Sequence, residues 1–238
     1  MATIRNTNDL YPTPPCAALA LRAMLEMEHP LEFECDTWLD PSAGFGTLLE
    51  WVGVRLGQRR AIELSTSRTQ LSELEGRLPA NHARSLLGVD ALALKEWPQA
   101  HIIANPPFSL LDEFVLRILR HLEFTDHYSR RRPMACILTP MQWWHAQSRA
   151  KVPRPDWLFA LGWRPNFSAG YRPDGTDGSG PSQDYVWAVY DGRGAYDTRW
   201  QRLERPRDVP PDWVREHERL ARMGCELPPT PAPLLEGL

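Results

Sequence analysis

The chain has 238 residues, enough for one sizeable α/β domain with a buried core and too few for several such domains. Its 42% apolar and 24% charged residues exclude a disordered or fibrous chain, and no apolar run reaches membrane-spanning length. A formal net charge of −3 leaves a nucleic-acid partner neither announced nor excluded, because local basic patches override an average.

The opening MATIRNTNDLYPTPP has no apolar stretch of the kind that directs secretion, so the cytoplasm is the expected compartment. Among the 27 basic residues only Lys95 and Lys151 are lysine, and arginine favours planar two-point contacts with phosphate or carboxylate. Cys16, Cys35, Cys136 and Cys225 are scattered without CxxC or Cys/His spacing. Reduced thiols and no metal site are expected.

In chain order, CAALALRAMLEMEH (Cys16 to His29) carries apolar residues at helical spacing behind a proline pair suited to a helix start. CDTWLD (Cys35 to Asp40) is a short strand that runs into PSAGFGTLLEWV, a glycine turn and a helix through about Leu56. RAIEL (Arg60 to Leu64) is a second strand, STSRTQLSELEGRL a helix opened by Ser/Thr caps, and SLLGVD (Ser85 to Asp90) a third strand. HIIA is the fourth strand, followed by an amphipathic helix from Leu110 to Leu122. MACILT (Met134 to Thr139) and YVWAVY (Tyr185 to Tyr190) are later strands, and Asp212 to Met223 is a short helix in an Arg/Pro-rich tail. Strands alternating with helices predict a parallel sheet covered on both faces.

Three features fall at the carboxyl ends of successive strands, where open α/β sheets bind ligands. In DPSAGFG, Gly44 and Gly46 allow a sharp turn and close backbone approach, and Asp40 can accept from a cationic or hydroxyl group. Glu63 ends the next strand, where a carboxylate can accept both ribose hydroxyls of an adenosine. Asp90 ends the third, placed to accept from an adenine amino group. A dinucleotide or P-loop ligand is disfavoured, because Gly46 is followed by TLLEW, a third glycine is missing and there is no phosphate-binding lysine. A nucleoside without phosphate fits better, and S-adenosylmethionine is the common one.

The fourth strand ends in NPPF, Asn105 to Phe108. Prolines cannot donate to a sheet, so the chain must leave the sheet at Asn105 in a stiff corner. Together YPTPP, DPSAGFGT, IEL, GVDAL, NPPF and DYVWAVY resemble the amino-directed, S-adenosylmethionine-dependent methyltransferases of the DNA adenine-N6 type, over Tyr11 to Tyr190. The TDGSGPSQDYVWAVYDG ending is similar to phage and prophage members. The resemblance implies a Rossmann-like class I methyltransferase fold, a three-layer α/β sandwich around a mostly parallel seven-stranded sheet. It implies a methyltransferase domain over 1–191, with a flexible loop at about 162–184, and a Pro/Arg-rich extension over 192–238.

It also implies roles. Asn105, Pro106, Pro107 and Phe108 are the catalytic corner: the Asn105 side-chain oxygen and the Pro106 carbonyl accept the amino hydrogens of adenine, and Phe108 stacks on a base extruded from double-stranded DNA. Tyr11, Thr13 and Pro14 close over the methionine end of the cofactor, although Thr13 could equally be a plain helix cap. Asp40, Pro41, Gly44, Phe45, Gly46, Glu63, Asp90, Ala91 and Asn105 complete the cofactor site, with core packing an equal reading for Phe45.

Too few positions separate Asp40 from Asn105 to hold an inserted recognition domain. Any target reading is therefore expected from the 162–184 loop, from 123–133 with Arg130, Arg131 and Arg132, or from the tail, and a very short site or none is the other expectation; the arginine run could bind phosphates, although a solvated helix-to-strand connection is the more frequent meaning of such a run. MQWWHAQ (Met141 to Gln147) offers aromatic surface beside the expected base pocket; Trp143 and Trp144 cannot share one side, so one belongs to the core. The alternatives are the same chemistry on RNA, methylation of a glutamine amide, or a non-catalytic binding protein that keeps the fold.

Overall fold

The computed structural model describes residues 10–80, 85–126, 133–146, 152–167, 183–192 and 197–226. Its helices are α1 (Pro15–Glu28), α2 (Pro30–Cys35), α3 (Thr47–Val52), α4 (Arg68–Glu75), α5 (Leu111–Asp126) and α6 (Pro211–Glu226). Its strands are β1 (Trp38–Asp40), β2 (Arg59–Glu63), β3 (Leu86–Leu87), β4 (His101–Ala104), β5 (Ala135–Pro140), β6 (Trp157–Leu161), β7 (Tyr185–Tyr190) and β8 (Arg199–Leu203). They form one sheet in the order β3-β2-β1-β4-β5-β7-β6-β8. Every neighbouring pair is parallel except the two made by β7, which runs against both β5 and β6.

The sheet is mostly parallel, as expected, but it has eight strands rather than seven. The eighth is β8, which pairs with β6 from Trp157↔Arg199 to Leu161↔Leu203. The segment read as an extension beyond Gly192 thus adds an edge strand and a helix to the same unit. RWQRL has one fully buried apolar side chain, Leu203, so it lacks the apolar alternation that marks a strand in sequence. WLFAL of β6 was hidden differently, as a short apolar run between Pro155 and Gly162 in loop-like surroundings. The helix Leu110 to Leu122 extends to Asp126, and the third strand shrinks to two residues.

Both faces of the sheet are covered, so the central strands alternate between two apolar layers instead of between core and water. Trp38, Ile103, Cys136 and Leu138 face the layer formed with α1 and α3. Leu39, Ile102, Ala104 and Ile137 face the layer formed with α5. Period-two alternation then places Asp40, two after Trp38, and Asn105, two after Ile103, on the α1 side at the carboxyl ends of adjacent strands. Two acceptors meet at one edge because β1 and β4 pair in that register.

On the same side α6 packs over α1 and α3. Trp213 stacks on Trp51 of α3 at 6.1 Å between ring centroids, and Leu220 and Ala221 are buried. Arg219 pairs with Glu73 of α4 at 2.8 Å. The tail helix is therefore fastened to three others by aromatic, apolar and ionic contacts.

Candidate active site

The DPSAGFG turn is built around two glycines in the left-handed region, Gly44 at φ +56° and Gly46 at φ +78°. A Cβ on Gly46 would stand 2.7 Å from the Leu74 side chain of α4, so the turn needs glycine both for conformation and for space. Ser42 donates to Asp40 Oδ1 from its backbone N–H at 2.9 Å and from Oγ at 3.2 Å. Glu63 Oε2 accepts the Gly44 N–H at 2.7 Å, and Oε1 accepts the Ser65 N–H at 2.8 Å. Gln70, buried on α4, donates to the Gly44 carbonyl at 3.3 Å. Glu63 thus holds the glycine loop, a duty that sequence reasoning did not assign to it.

These groups surround a cavity of about 610 Å³, within the ~300–1,000 Å³ span of small-molecule sites. Its lining includes Tyr11 and Thr13, Asp40, Pro41, Gly44 and Phe45, Glu63, Asp90 and Ala91, and Asn105 and Pro107. The structure therefore brings most of the residues chosen from sequence to one place. Pro14, Gly46, Pro106 and Phe108 stand outside the lining. Pro14 precedes α1 and its carbonyl accepts the Ala17 and Ala18 N–H groups, while Gly46 caps α3. Because the cap position is Pro14 and no side chain caps α1, Thr13 is not a helix cap; it is buried in the cavity wall. Phe45 is both lining and core, at 2% exposure.

Missed were Leu10, Ser42 and Gln70, all in the lining. Ser42 had a legible signal, because Asp two residues before Ser favours a local side-chain turn. Gln70 had none, since its role depends on how α4 lies against the glycine loop.

Electrostatically the cavity is unusual for two buried carboxyls. Burial, with Glu63 adding repulsion, pushes Asp40 up to about 7 despite the two Ser42 bonds that oppose the shift. Burial also raises Glu63 against its backbone donors. Neither carboxyl forms an ion pair among the described residues. Asp90 accepts the Leu92 N–H at 2.8 Å and is half-buried.

Asn105 Nδ2 donates to the Tyr11 carbonyl at 3.1 Å. A carbonyl can only accept, so this bond fixes the amide orientation and turns Oδ1 away from Tyr11. Oδ1 is buried without a hydrogen-bond partner among the described residues. Beyond the corner, Phe108 is half-buried in an aromatic trio, 6.2 Å from Phe167 edge to face and 5.7 Å from Tyr185. Burial, with Tyr11 contributing, pushes Tyr185 up to about 12, so its phenol stays neutral. Of the tryptophan pair, Trp143 is the buried member, its indole N–H on Asp112 at 2.7 Å; Trp144 lies perpendicular and donates to Thr139.

Other readings of the target-recognition segments fall outside the described residues: Arg130, Arg131 and Arg132, most of the 162–184 loop, and the tail past Glu226. No described helix is long and apolar enough to cross a membrane.

With this geometry in place, the fold can be compared with solved structures. A candidate class I S-adenosylmethionine-dependent methyltransferase from Listeria monocytogenes is similar with a TM-score of 0.56 at 14% identity, covering 90% of this chain and 72% of that one. A candidate methylase from Haemophilus influenzae has a TM-score of 0.44 at 15% identity, covering 76% of this chain and 99% of that one. A candidate RNA methyltransferase from Pyrococcus horikoshii has a TM-score of 0.41 at 17% identity, covering 55% and 62%. No protein-family model and no curated protein matches the chain. The fold is the Rossmann-like α/β fold of class I methyltransferases.

Proposed function

We propose that this chain is an S-adenosylmethionine-dependent methyltransferase that acts on an exocyclic amine, N6 of an adenine extruded from double-stranded DNA. The observation that carries the reading is Asn105 Oδ1, a buried acceptor at the wall of the cavity with no partner among the described residues. A buried unpaired acceptor costs about 1–3 kcal/mol, a cost that a substrate N–H would remove.

The cavity suits the cofactor. Its two buried carboxyls have no cation partner among the described residues, and a cationic amine beside Asp40 would restore the ionised form that burial disfavours. Each oxygen of Glu63 accepts a backbone N–H, and the Gln70 side chain and the Leu64 N–H also stabilise this carboxylate, so ribose hydroxyls would share it with the donors that hold the glycine loop. Asp90 and Ala91 border the place for the adenine end. When bound, S-adenosylmethionine supplies an electrophilic sulfonium methyl.

The chain's own part is positioning and charge stabilisation. Adenine's amino lone pair is conjugated with the ring, which makes it a poor nucleophile. Asn105 Oδ1 and the Pro106 carbonyl, each accepting one amino hydrogen, draw the nitrogen toward tetrahedral geometry and aim its lone pair. Positive charge developing on that nitrogen then meets two fixed dipoles, worth about 3 kcal/mol by analogy with the donors that stabilise oxyanions. Pro106 and Pro107 hold the corner rigid, so the acceptors need no ordering during reaction. Phe108, with Phe167 and Tyr185, offers an aromatic surface for the extruded base.

Transfer of labelled methyl from S-adenosylmethionine to unmethylated DNA, with RNA in parallel and digestion to nucleosides, tests the reading. N6-methyladenine from DNA is the expected product. Label in RNA alone would move the substrate to RNA, and wild-type turnover in Asn105→Ala would remove the mechanism.

A further inference from the structure

Residues 10–14 form a strap over the cavity, and their own sequence gives them little means of staying there. In LYPTP the two prolines, Pro12 and Pro14, have no N–H, so the strap cannot pair as a regular strand, and its carbonyls must find donors elsewhere. Two of them find donors at distant points of the chain and one in the adjoining helix. The Tyr11 carbonyl accepts from Asn105 at 3.1 Å, the Pro12 carbonyl from His217 Nε2 at 3.1 Å, and the Pro14 carbonyl from the first turn of α1. Leu10 lies directly over Gly44, its side chain 3.0 Å from where a Cβ on that glycine would be.

We propose that α6 is a latch for this strap, and that His217 is a positioning residue which, through Pro12 and Tyr11, fixes both the wall of the donor cavity and the Asn105 amide. The inference rests on the reading of the cavity as a methyl-donor site. His217 is buried on the inner face of α6, with its ring 6.3 Å from Trp51. Burial lowers its pKa to about 4, so the ring is neutral at working pH. Because the Pro12 carbonyl can only accept, Nε2 carries the proton, and the bond does not titrate near neutrality. The neighbouring residues are joined to Asn105 within one peptide unit: the carbonyl that His217 holds is the one directly after the carbonyl that Asn105 holds. Loss of the first therefore loosens the peptide that carries the second. The helix itself is held independently, by Trp213 on Trp51 and by Arg219 on Glu73, so α6 is a fixed anchor.

The test uses the full chain with His217→Ala, His217→Gln and His217→Asn. Gln keeps an N–H that can reach Pro12, whereas Asn is polar but too short. Three quantities are read: hydrogen exchange over residues 10–14 in the ligand-free protein, equilibrium affinity for S-adenosylmethionine, and kcat at saturating cofactor and DNA. In His217→Ala, exchange of the strap should rise and affinity should fall by about tenfold, the scale of one unpaired buried carbonyl. The kcat should fall as well, because the Asn105 amide loses its fixed partner. His217→Gln should recover most of each loss and His217→Asn little. Wild-type exchange and affinity in His217→Ala would overturn the latch, as would losses that Gln and Asn share equally, which would mark helix packing as the cause. Should the Ala variant not fold, the Gln and Asn pair makes the same comparison. If the wild-type chain neither binds the cofactor nor transfers methyl, the functional reading fails, while strap exchange still decides the latch.

Discussion

Asn105 donates from Nδ2 to the Tyr11 carbonyl, and that one bond decides what the corner can do. With the nitrogen committed to a carbonyl, the oxygen is left as a buried acceptor at the cavity wall, unpaired among the described residues. Chemistry follows from which end of an amide is occupied.

Replacing Asn105 by Ala removes the acceptor and a strap anchor together. Turnover should fall at least ~10²-fold, as when one preorganised polar contact to a developing charge is lost. Cofactor affinity should fall only a few-fold, since Asp40, Glu63 and Asp90, the residues proposed to hold the cofactor, are untouched. Labelled methyl transfer and calorimetric titration separate the two effects.

Asp40 makes both stability and binding depend on pH, in opposite senses. Its folded pKa, about 7, lies above the ordinary 3.8, so between those values the folded state keeps a proton that the unfolded chain has released. Stability of the ligand-free protein should therefore decline as pH rises from about 4 to about 7, and flatten above. A cationic ligand needs the ionised form, so its affinity should rise through the same window and level off above about 7. Asp40→Asn should make both curves shallower, leaving in the stability curve the decline that the raised Glu63 carboxyl adds in the same sense, which denaturation midpoints and titrations at several pH values would reveal; slopes unchanged in that variant would mean that Asp40 is not the titrating group.

Gly44 and Gly46 should fail in different ways. Gly46→Ala places a side chain at positive φ against Leu74, and stability should drop by about 1–3 kcal/mol in urea denaturation. Gly44→Ala pushes against Leu10 instead, so loss of cofactor affinity should accompany its strain.

Glu63→Ala strips the Gly44 and Ser65 N–H groups of their buried acceptor, which should cost about 1–3 kcal/mol of stability and weaken cofactor binding. Glu63→Gln retains one carbonyl oxygen and should fall between. If cofactor affinity in Glu63→Ala matched wild type, the ribose assignment would be wrong.

Phe108→Ala and Phe167→Ala remove faces of the aromatic trio. Each should lower kcat/KM for DNA by about tenfold, the scale of one stacked base, with cofactor affinity unchanged. Steady-state kinetics at saturating cofactor would show the drop, and an equal loss in cofactor affinity would place these rings in the wrong pocket.

The parts of this site that were legible in sequence are those whose chemistry is local. Gly44 and Gly46 mark a turn that only glycine makes, Asp40, Glu63 and Asp90 sit at strand ends, and NPPF forces a corner by proline alone. What was hidden depends on packing between distant segments. Gln70 is an ordinary helix glutamine until α4 meets the glycine loop, and Glu63 looks like a free strand-end acid until Gly44 turns beneath it. The edge strand β8 was missed because its outward residues, Trp200 among them at 60% exposure, give no apolar alternation. His217 read as one histidine in a tail helix.

Pro12 and His217 are 205 positions apart in the chain, yet they share a hydrogen bond. A contact so distant in sequence closes a long loop, so the strap is fastened only in a chain whose sheet and α6 are already docked, and the bond reports on the assembled fold rather than on any one segment of it.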